Sequence, residues 1–140
     1  MIKTSDSQID KNTGNVGGSV SGVALNIEKR GKNNMIRAIM SGCNGKMGLV
    51  ITGICKEDAD IEIVAGIDLY DGIKNDYPVF PNISVCDVAA DVIIDFSNAK
   101  AVDDLLVYSV DKQIPVVLCT TGLSEEQLKR WTRHRKKLPY

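Results

Sequence analysis

Three glycines, at positions 42, 45 and 48, constrain this chain more than any other feature, because of what stands on either side of them. An apolar run, Ile36-Arg37-Ala38-Ile39-Met40-Ser41, leads into Gly42-Cys43-Asn44-Gly45-Lys46-Met47-Gly48. Met47, Val50, Ile51, Ile54 and Cys55 then recur at helical spacing, which predicts a helix over Lys46 to Lys56 with those five as its buried face. A second apolar run, Ile61 to Ile67, closes on a carboxylate, Asp68. Strand, glycine turn, helix, strand and acid, in that order, is the layout of a dinucleotide-binding half-domain. Gly42 would let the chain turn off the strand, Gly45 would let backbone N–H groups approach a pyrophosphate, and Gly48 would let the helix lie close to the sheet. The helix N-terminus adds free donors and a partial positive charge. The spacing is GxxGxxG, with Asn44 where a middle glycine is usual. Alone, such a turn is equally an ordinary strand end; in register with the helix and Asp68 it points to a nucleotide.

Strand and helix signals continue to alternate. Pro78 and Pro81 interrupt an irregular stretch from Leu69 to Asn82, and the short apolar segment Ile83-Ser84-Val85 follows. Val92-Ile93-Ile94-Asp95-Phe96 and Ile114-Pro115-Val116-Val117-Leu118-Cys119 show almost no alternation, which predicts strands buried on both faces. Between them Val102, Leu105, Leu106 and Ser109 have helical spacing within residues 99–110. Ser124-Glu125-Glu126-Gln127 is a capping-box signal for a further helix. The pattern predicts an α/β fold with a doubly wound parallel sheet, a Rossmann-type dinucleotide-binding domain over residues 35–128. Ligands on such sheets bind beyond the carboxyl ends of the strands. Four strand ends qualify: the glycine turn, Asp68, Phe96-Ser97 and Thr120-Thr121-Gly122.

The flanks differ from this body. Residues 1–34 are rich in Ser, Asn, Gly and Lys, with one marginal strand signal at Val20–Leu25, and read as a disordered extension with Met35 as the natural start. Residues 129–140 hold the only Trp, the only His and six of seventeen basic residues, without a clear apolar stripe. They read as an aberrant C-terminus or a basic tail, in which His134 is solvated. The body between is acidic, which argues against a nucleic-acid surface. No apolar run is long enough to cross a bilayer and no secretory layout opens the chain, so a cytoplasmic protein is expected. The four cysteines, Cys43, Cys55, Cys86 and Cys119, form no C-x-x-C pair and read as free thiols, with no metal site. Cys55 and Cys119 are expected to be buried. Cys43 reads as a small residue fitting a tight loop, the alternative being a thiol activated by the helix N-terminus.

The motifs together resemble 4-hydroxy-tetrahydrodipicolinate reductase (dihydrodipicolinate reductase), of bacterial lysine and diaminopimelate synthesis. The likeness is carried by Met35-Ile36-Arg37 with Ser41 to Gly48, by Val64 to Asp68, by Val92 to Ser97, and by Pro115 to Leu123. It spans about Met35 to Gln127 and corresponds to that family's cofactor domain. The resemblance implies that Gly42, Cys43, Asn44, Gly45, Lys46 and Met47 wrap the pyrophosphate and that Asp68 meets the adenosine ribose. Cys119, Thr120 and Thr121 would line the nicotinamide end. Cys119 stands where the family has glycine and would be strained if that position needs φ > 0. The cofactor is expected to be NADH or NADPH, tilted toward NADH, because an acid at the ribose repels a 2′-phosphate and Leu69 and Tyr70, not a base, follow it.

The family's substrate domain, its His-His-x-x-Lys motif and the segment that completes its sheet have no counterpart in these residues. The resemblance therefore implies an incomplete sheet and a chain that binds cofactor without turnover. A small-molecule substrate and a homo-tetramer belong to the whole enzyme, and no catalytic residue is assigned here. Other readings are another nicotinamide-dependent dehydrogenase, of the homoserine or sugar type, and a non-catalytic module such as an NADH redox sensor or a coenzyme A binder. A basic-tailed interaction protein is a further one.

Overall fold

The computed structural model describes residues 35–138; the expected N-terminal extension and its marginal strand lie outside them. Five strands form one parallel sheet: β1 (Ile36–Ser41), β2 (Ile61–Ile67), β3 (Val79–Phe80), β4 (Val92–Asp95) and β5 (Val116–Leu118). Their spatial order is β3-β2-β1-β4-β5. The order reverses at β1, whose neighbours β2 and β4 run parallel to it, so a crevice opens between the chains leaving β1 and β4. Among the described residues α1 (Lys46–Lys56) joins β1 to β2, α2 (Ala99–Lys112) joins β4 to β5, and α3 (Glu125–His134) follows β5, with 3-10 turns at Ile83–Val85 and Arg135–Lys137. The expected α/β doubly wound parallel sheet is present, and β1, α1 and β2 have their expected bounds.

The register of β1 on β2 slips between Ala38 and Ile39, leaving Val64 as the extra residue of a bulge. The two faces of the sheet carry separate clusters. Ile39, Ala65, Ile67, Ile93 and Val116 pack with Leu105 and Tyr108 of α2 on one face, and Trp131 of α3 lies against them. Met40, Cys43 and Tyr77, with half-buried Ile51, Ile63 and Ile94, form the other, on the side of α1. The periodic positions of α2 behave as expected: Val102, Leu105, Leu106 and Ser109 are all buried.

Four expectations are corrected. In α1 only Gly48 and Cys55 are buried and Ile51 is half-buried, while Met47, Val50 and Ile54 are 44%, 51% and 60% exposed. Helical spacing defines a stripe, but α1 meets the sheet along one edge of that stripe. Strands β4 and β5 are not buried on both faces: Ile93 is enclosed and Ile94 only half so, and Val116 is buried while Val117 is 51% exposed. Cys119, at the end of β5, is half-buried rather than buried.

The fourth correction concerns the boundary at residue 129. Helix α3 crosses it without interruption, Trp131 rests on the core, and Leu138 is buried. The capping box at Ser124 and Gln127 is formed in both directions, and Gln127 Nε2 also donates to the Ala99 carbonyl at 2.7 Å. Arg130 reaches Asp103 of α2 at 3.1 Å, and the Gln113 amide donates to the Lys137 carbonyl at 3.1 Å. The basic residues thus lie on the outer side of a helix that packs through Gln127 and Trp131, one turn apart.

Candidate functional site

The carboxyl edge of the sheet gathers all four strand ends singled out by the sequence. At the first, Gly42 has φ +85°, and a Cβ there would stand 2.5 Å from the Phe96 carbonyl oxygen at the end of β4. Glycine is needed for the turn and for the approach to β4 together. A Cβ on Gly48 would stand 2.1 Å from the Gly42 carbonyl oxygen and 2.6 Å from that of Cys43. Gly48 therefore lets α1 close on its own loop, where the sequence suggested closeness to the sheet. Gly45 is the N-cap of α1, and no side chain caps the helix there. A Cβ at Gly45 would meet only the Gly42 carbonyl, at an ordinary 3.5 Å. Gly45, Lys46 and Met47 are exposed, so the first turn of α1 presents its N–H groups on an open surface.

Asp68 leaves β2 beside this turn. Its Oδ2 accepts the Asn44 backbone N–H at 2.9 Å and its Oδ1 accepts the Tyr70 N–H at 3.0 Å. Asn44, in the usual place of a middle glycine, is buried and points away from the open surface. Its Nδ2 donates to the Tyr70 carbonyl at 2.6 Å, and its Oδ1 accepts from Asn75 Nδ2 at 3.0 Å. Asn75 Nδ2 also donates to the Tyr77 hydroxyl at 3.2 Å, which in turn shares a 2.9 Å bond with Thr52 of α1. A continuous polar chain therefore pins the loop after Asp68 to α1 and to the glycine turn. On the same loop Asp76 pairs with Lys56 of α1 at 2.8 Å.

Cys43 is fully enclosed, its sulfur beneath Gly66 of β2 and beside Tyr77. Burial, and secondly the Asp68 charge, push its thiol up to about 11. The small-residue reading of Cys43 fits this environment; the activated-thiol reading does not.

On the other side of the crevice stands Asp95, wholly buried at the end of β4. Its Oδ1 accepts from the Ser97 hydroxyl at 2.6 Å and from the Ser97 N–H at 3.3 Å, and its Oδ2 accepts from the Thr120 hydroxyl. The Asp95 carbonyl accepts the Cys119 N–H at 2.9 Å. Thr120 is half-buried and Thr121 exposed. Among the described residues the only non-glycine with positive φ is Gln113, so Cys119 carries none of the strain its position could have imposed.

The structure thus brings Gly42, Cys43, Asn44, Gly45, Lys46, Met47 and Asp68 together at one edge, with Gly45, Lys46 and Met47 exposed over the buried Gly42, Cys43 and Asn44, and it brings Cys119, Thr120 and Thr121 to the same edge across β4. Asp95, Asn75 and Tyr77 are the residues that a site reading of the sequence passes over. A single acid ending the run Val92-Ile93-Ile94 is a detectable signal for a buried carboxylate. Nothing local marks Asn75 or Tyr77. His134 Nδ1 donates to the Arg130 carbonyl at 2.8 Å within α3, and the residue belongs to no cluster of the edge. Among the described residues no group of His, Cys, Asp or Glu could hold a metal, and no helix is long and apolar enough to cross a membrane.

Comparison with known proteins agrees with this geometry. The 4-hydroxy-tetrahydrodipicolinate reductase of Clostridium novyi (strain NT) is 49% identical over 105 residues, covering 75% of this chain and 42% of that protein. That of Clostridium tetani (strain Massachusetts / E88) is 45% identical over 105 residues, covering 75% and 41%. The chain thus spans about two fifths of the length of these relatives. Among solved structures, a dipicolinate-bound dihydrodipicolinate reductase from Paenisporosarcina sp. TG-14 superposes with a TM-score of 0.61 at 26% identity, covering 71% of this chain and 43% of that one. Residues 36–140 match the family described as dihydrodipicolinate reductase, N-terminus, and the chain belongs to that family.

Proposed function

We propose that this chain is the nicotinamide-dinucleotide-binding domain of a 4-hydroxy-tetrahydrodipicolinate reductase. The observation that carries the reading is the junction of the glycine turn with Asp68: the open N-terminus of α1 and a carboxylate fixed by the Asn44 N–H at 2.9 Å lie side by side at the reversal of strand order. A pyrophosphate suits the first, through backbone donors and helix charge. A ribose diol suits the second, because each Asp68 oxygen keeps acceptor capacity beyond its one backbone N–H. The uncapped, unobstructed Gly45 is the feature of the fold that fits the cofactor best.

On this reading Gly42 to Met47 hold the pyrophosphate through backbone groups, Asp68 the adenosine ribose, and Cys119 to Thr121 the nicotinamide end. The bound dinucleotide supplies a hydride, and the residues of this chain bind it, orient it and shield one side of it. NADH is favoured over NADPH. Asp68 would face a 2′-phosphate with like charge, and the chain Thr52–Tyr77–Asn75–Asn44–Tyr70 keeps the loop from moving aside. The reduction of a dihydrodipicolinate-type ring, the small-molecule substrate and the tetramer are proposed for the whole enzyme. The lone His134 lies in α3 and matches no proton-donor motif, so these residues alone should bind cofactor without turnover.

The test is titration of the 140-residue chain with NADH, NADPH and coenzyme A, followed by cofactor fluorescence or calorimetry. NADH binding that Asp68→Ala weakens about tenfold, as expected for the loss of a charge-assisted hydrogen bond pair, supports the reading. Coenzyme A displacing NADH at equal concentration would turn it toward a general nucleotide module.

A further inference from the structure

The Asp95 carboxylate is buried at the ligand edge and has only neutral donors: the Ser97 hydroxyl and N–H, and the Thr120 hydroxyl. The salt bridges among the described residues leave it aside. Burying such an acid is costly unless its lone pairs are met, and here both oxygens are met by the two loops that leave β4 and β5. The Thr120 hydroxyl has one proton, and that proton is committed to Asp95. Thr120 is half-buried at this edge, and with its proton held by Asp95 its oxygen has acceptor lone pairs alone to offer a group bound there.

We propose that Asp95 is a positioning residue that fixes the polarity of this end of the site: by holding the Thr120 proton it makes Thr120 an acceptor, so that the site takes an uncharged carboxamide donor and rejects a carboxylate. The proposal rests on the reading that residues 119–121 meet the nicotinamide end. A nicotinamide carboxamide has N–H donors for such an acceptor; a nicotinic acid carboxylate has none and meets a second negative charge a short distance behind.

The experiment compares three ligands on the 140-residue chain by calorimetry: NAD+, nicotinic acid adenine dinucleotide, and ADP-ribose, which lacks the ring. NAD+ should bind about tenfold or more tighter than the acid analogue, the scale set by one buried acceptor left without a donor. Asp95→Asn can donate to Thr120 and free its proton, so the ratio should fall to about threefold or less, with ADP-ribose affinity held within about twofold. Thr120→Val should erase the ratio and Thr120→Ser should keep it, and these two carry the test if Asp95→Asn does not fold. A ratio lost in Thr120→Val but intact in Asp95→Asn overturns the role of Asp95. Thr120→Val leaving NAD+ and its analogue untouched instead removes the nicotinamide end from this loop, and the proposal with it.

Discussion

At the scale of single residues, two glycines that look alike in sequence have opposite demands. A methyl group on Gly48 would stand 2.1 Å from a backbone oxygen of the loop it closes on, whereas at Gly45 it would meet ordinary contact distance. Gly48→Ala should therefore destabilise the fold by about 2–3 kcal/mol, as overpacking against backbone does. Gly45→Ala should cost about 0.5–1 kcal/mol as an N-cap change yet weaken NADH binding more than tenfold. Urea unfolding and cofactor titration of the same two variants separate the effects; equal losses of stability would refute the distinction. The thiol of Cys43 gives a pH prediction. Its folded pKa is raised from 9.0 to about 11, so the unfolded chain loses this proton first as pH rises. The contribution is fully present below pH 9 and disappears as pH climbs through 11. Tyr108, raised from 10.0 to about 12 chiefly by burial, extends the same trend. The thermal midpoint should fall between pH 9 and 11, and Cys43→Ala should flatten the first part of that fall. Residue by residue the glycine turn and Asp68 were legible, because each obeys a local rule. Asn44 was not: its partners Tyr70 and Asn75 are far along the chain, and only folding brings its side chain to them.

At the scale of elements, α3 shows how a helix can be announced and still be misjudged. Its start is written in four residues, Ser124 to Gln127, and the structure forms that box in full. Its body lacks an apolar stripe because it packs through a buried amide, one tryptophan and, after a 3-10 turn, Leu138. Those contacts are too few and too widely spaced to register as a period. Ser124→Ala should cost about 1 kcal/mol, and because Trp131 is the sole tryptophan its fluorescence should report the loss directly. A midpoint unchanged by this substitution would mean that the box is not holding the helix. Strand β5 fails in the reverse sense. An unbroken apolar run suggested burial on two faces, but composition does not say how many layers lie over a strand, and Val117 faces outward.

At the scale of the molecule, the two faces of the sheet are covered unequally. Helices α2 and α3 lie over one; among the described residues α1 alone lies over the other, against β1 and β2. Ile94 and Val117, on the face of α1, are left half-buried and exposed, near a helix that shows Met47, Val50 and Ile54 to solvent. Apolar surface of this extent drives association. The 140-residue chain should self-associate at high concentration in sedimentation experiments, and Val50→Glu with Ile54→Lys should reduce this while leaving the thermal midpoint within a few degrees. If the double variant associates as strongly, the contact lies elsewhere.

The sequence by itself determined the order of strands and helices apart from β3, which falls in the stretch read as irregular, together with the turn between β1 and α1 and the four strand ends at the carboxyl edge, since hydrophobic period and glycine position act over short stretches of chain. Tertiary structure decided which apolar residues are covered, that residues 129–138 belong to the fold, and that Asp95 and Asn44 cross-link loops distant in sequence. Burial and buried hydrogen bonding depend on which elements become neighbours, and no local pattern contains that information.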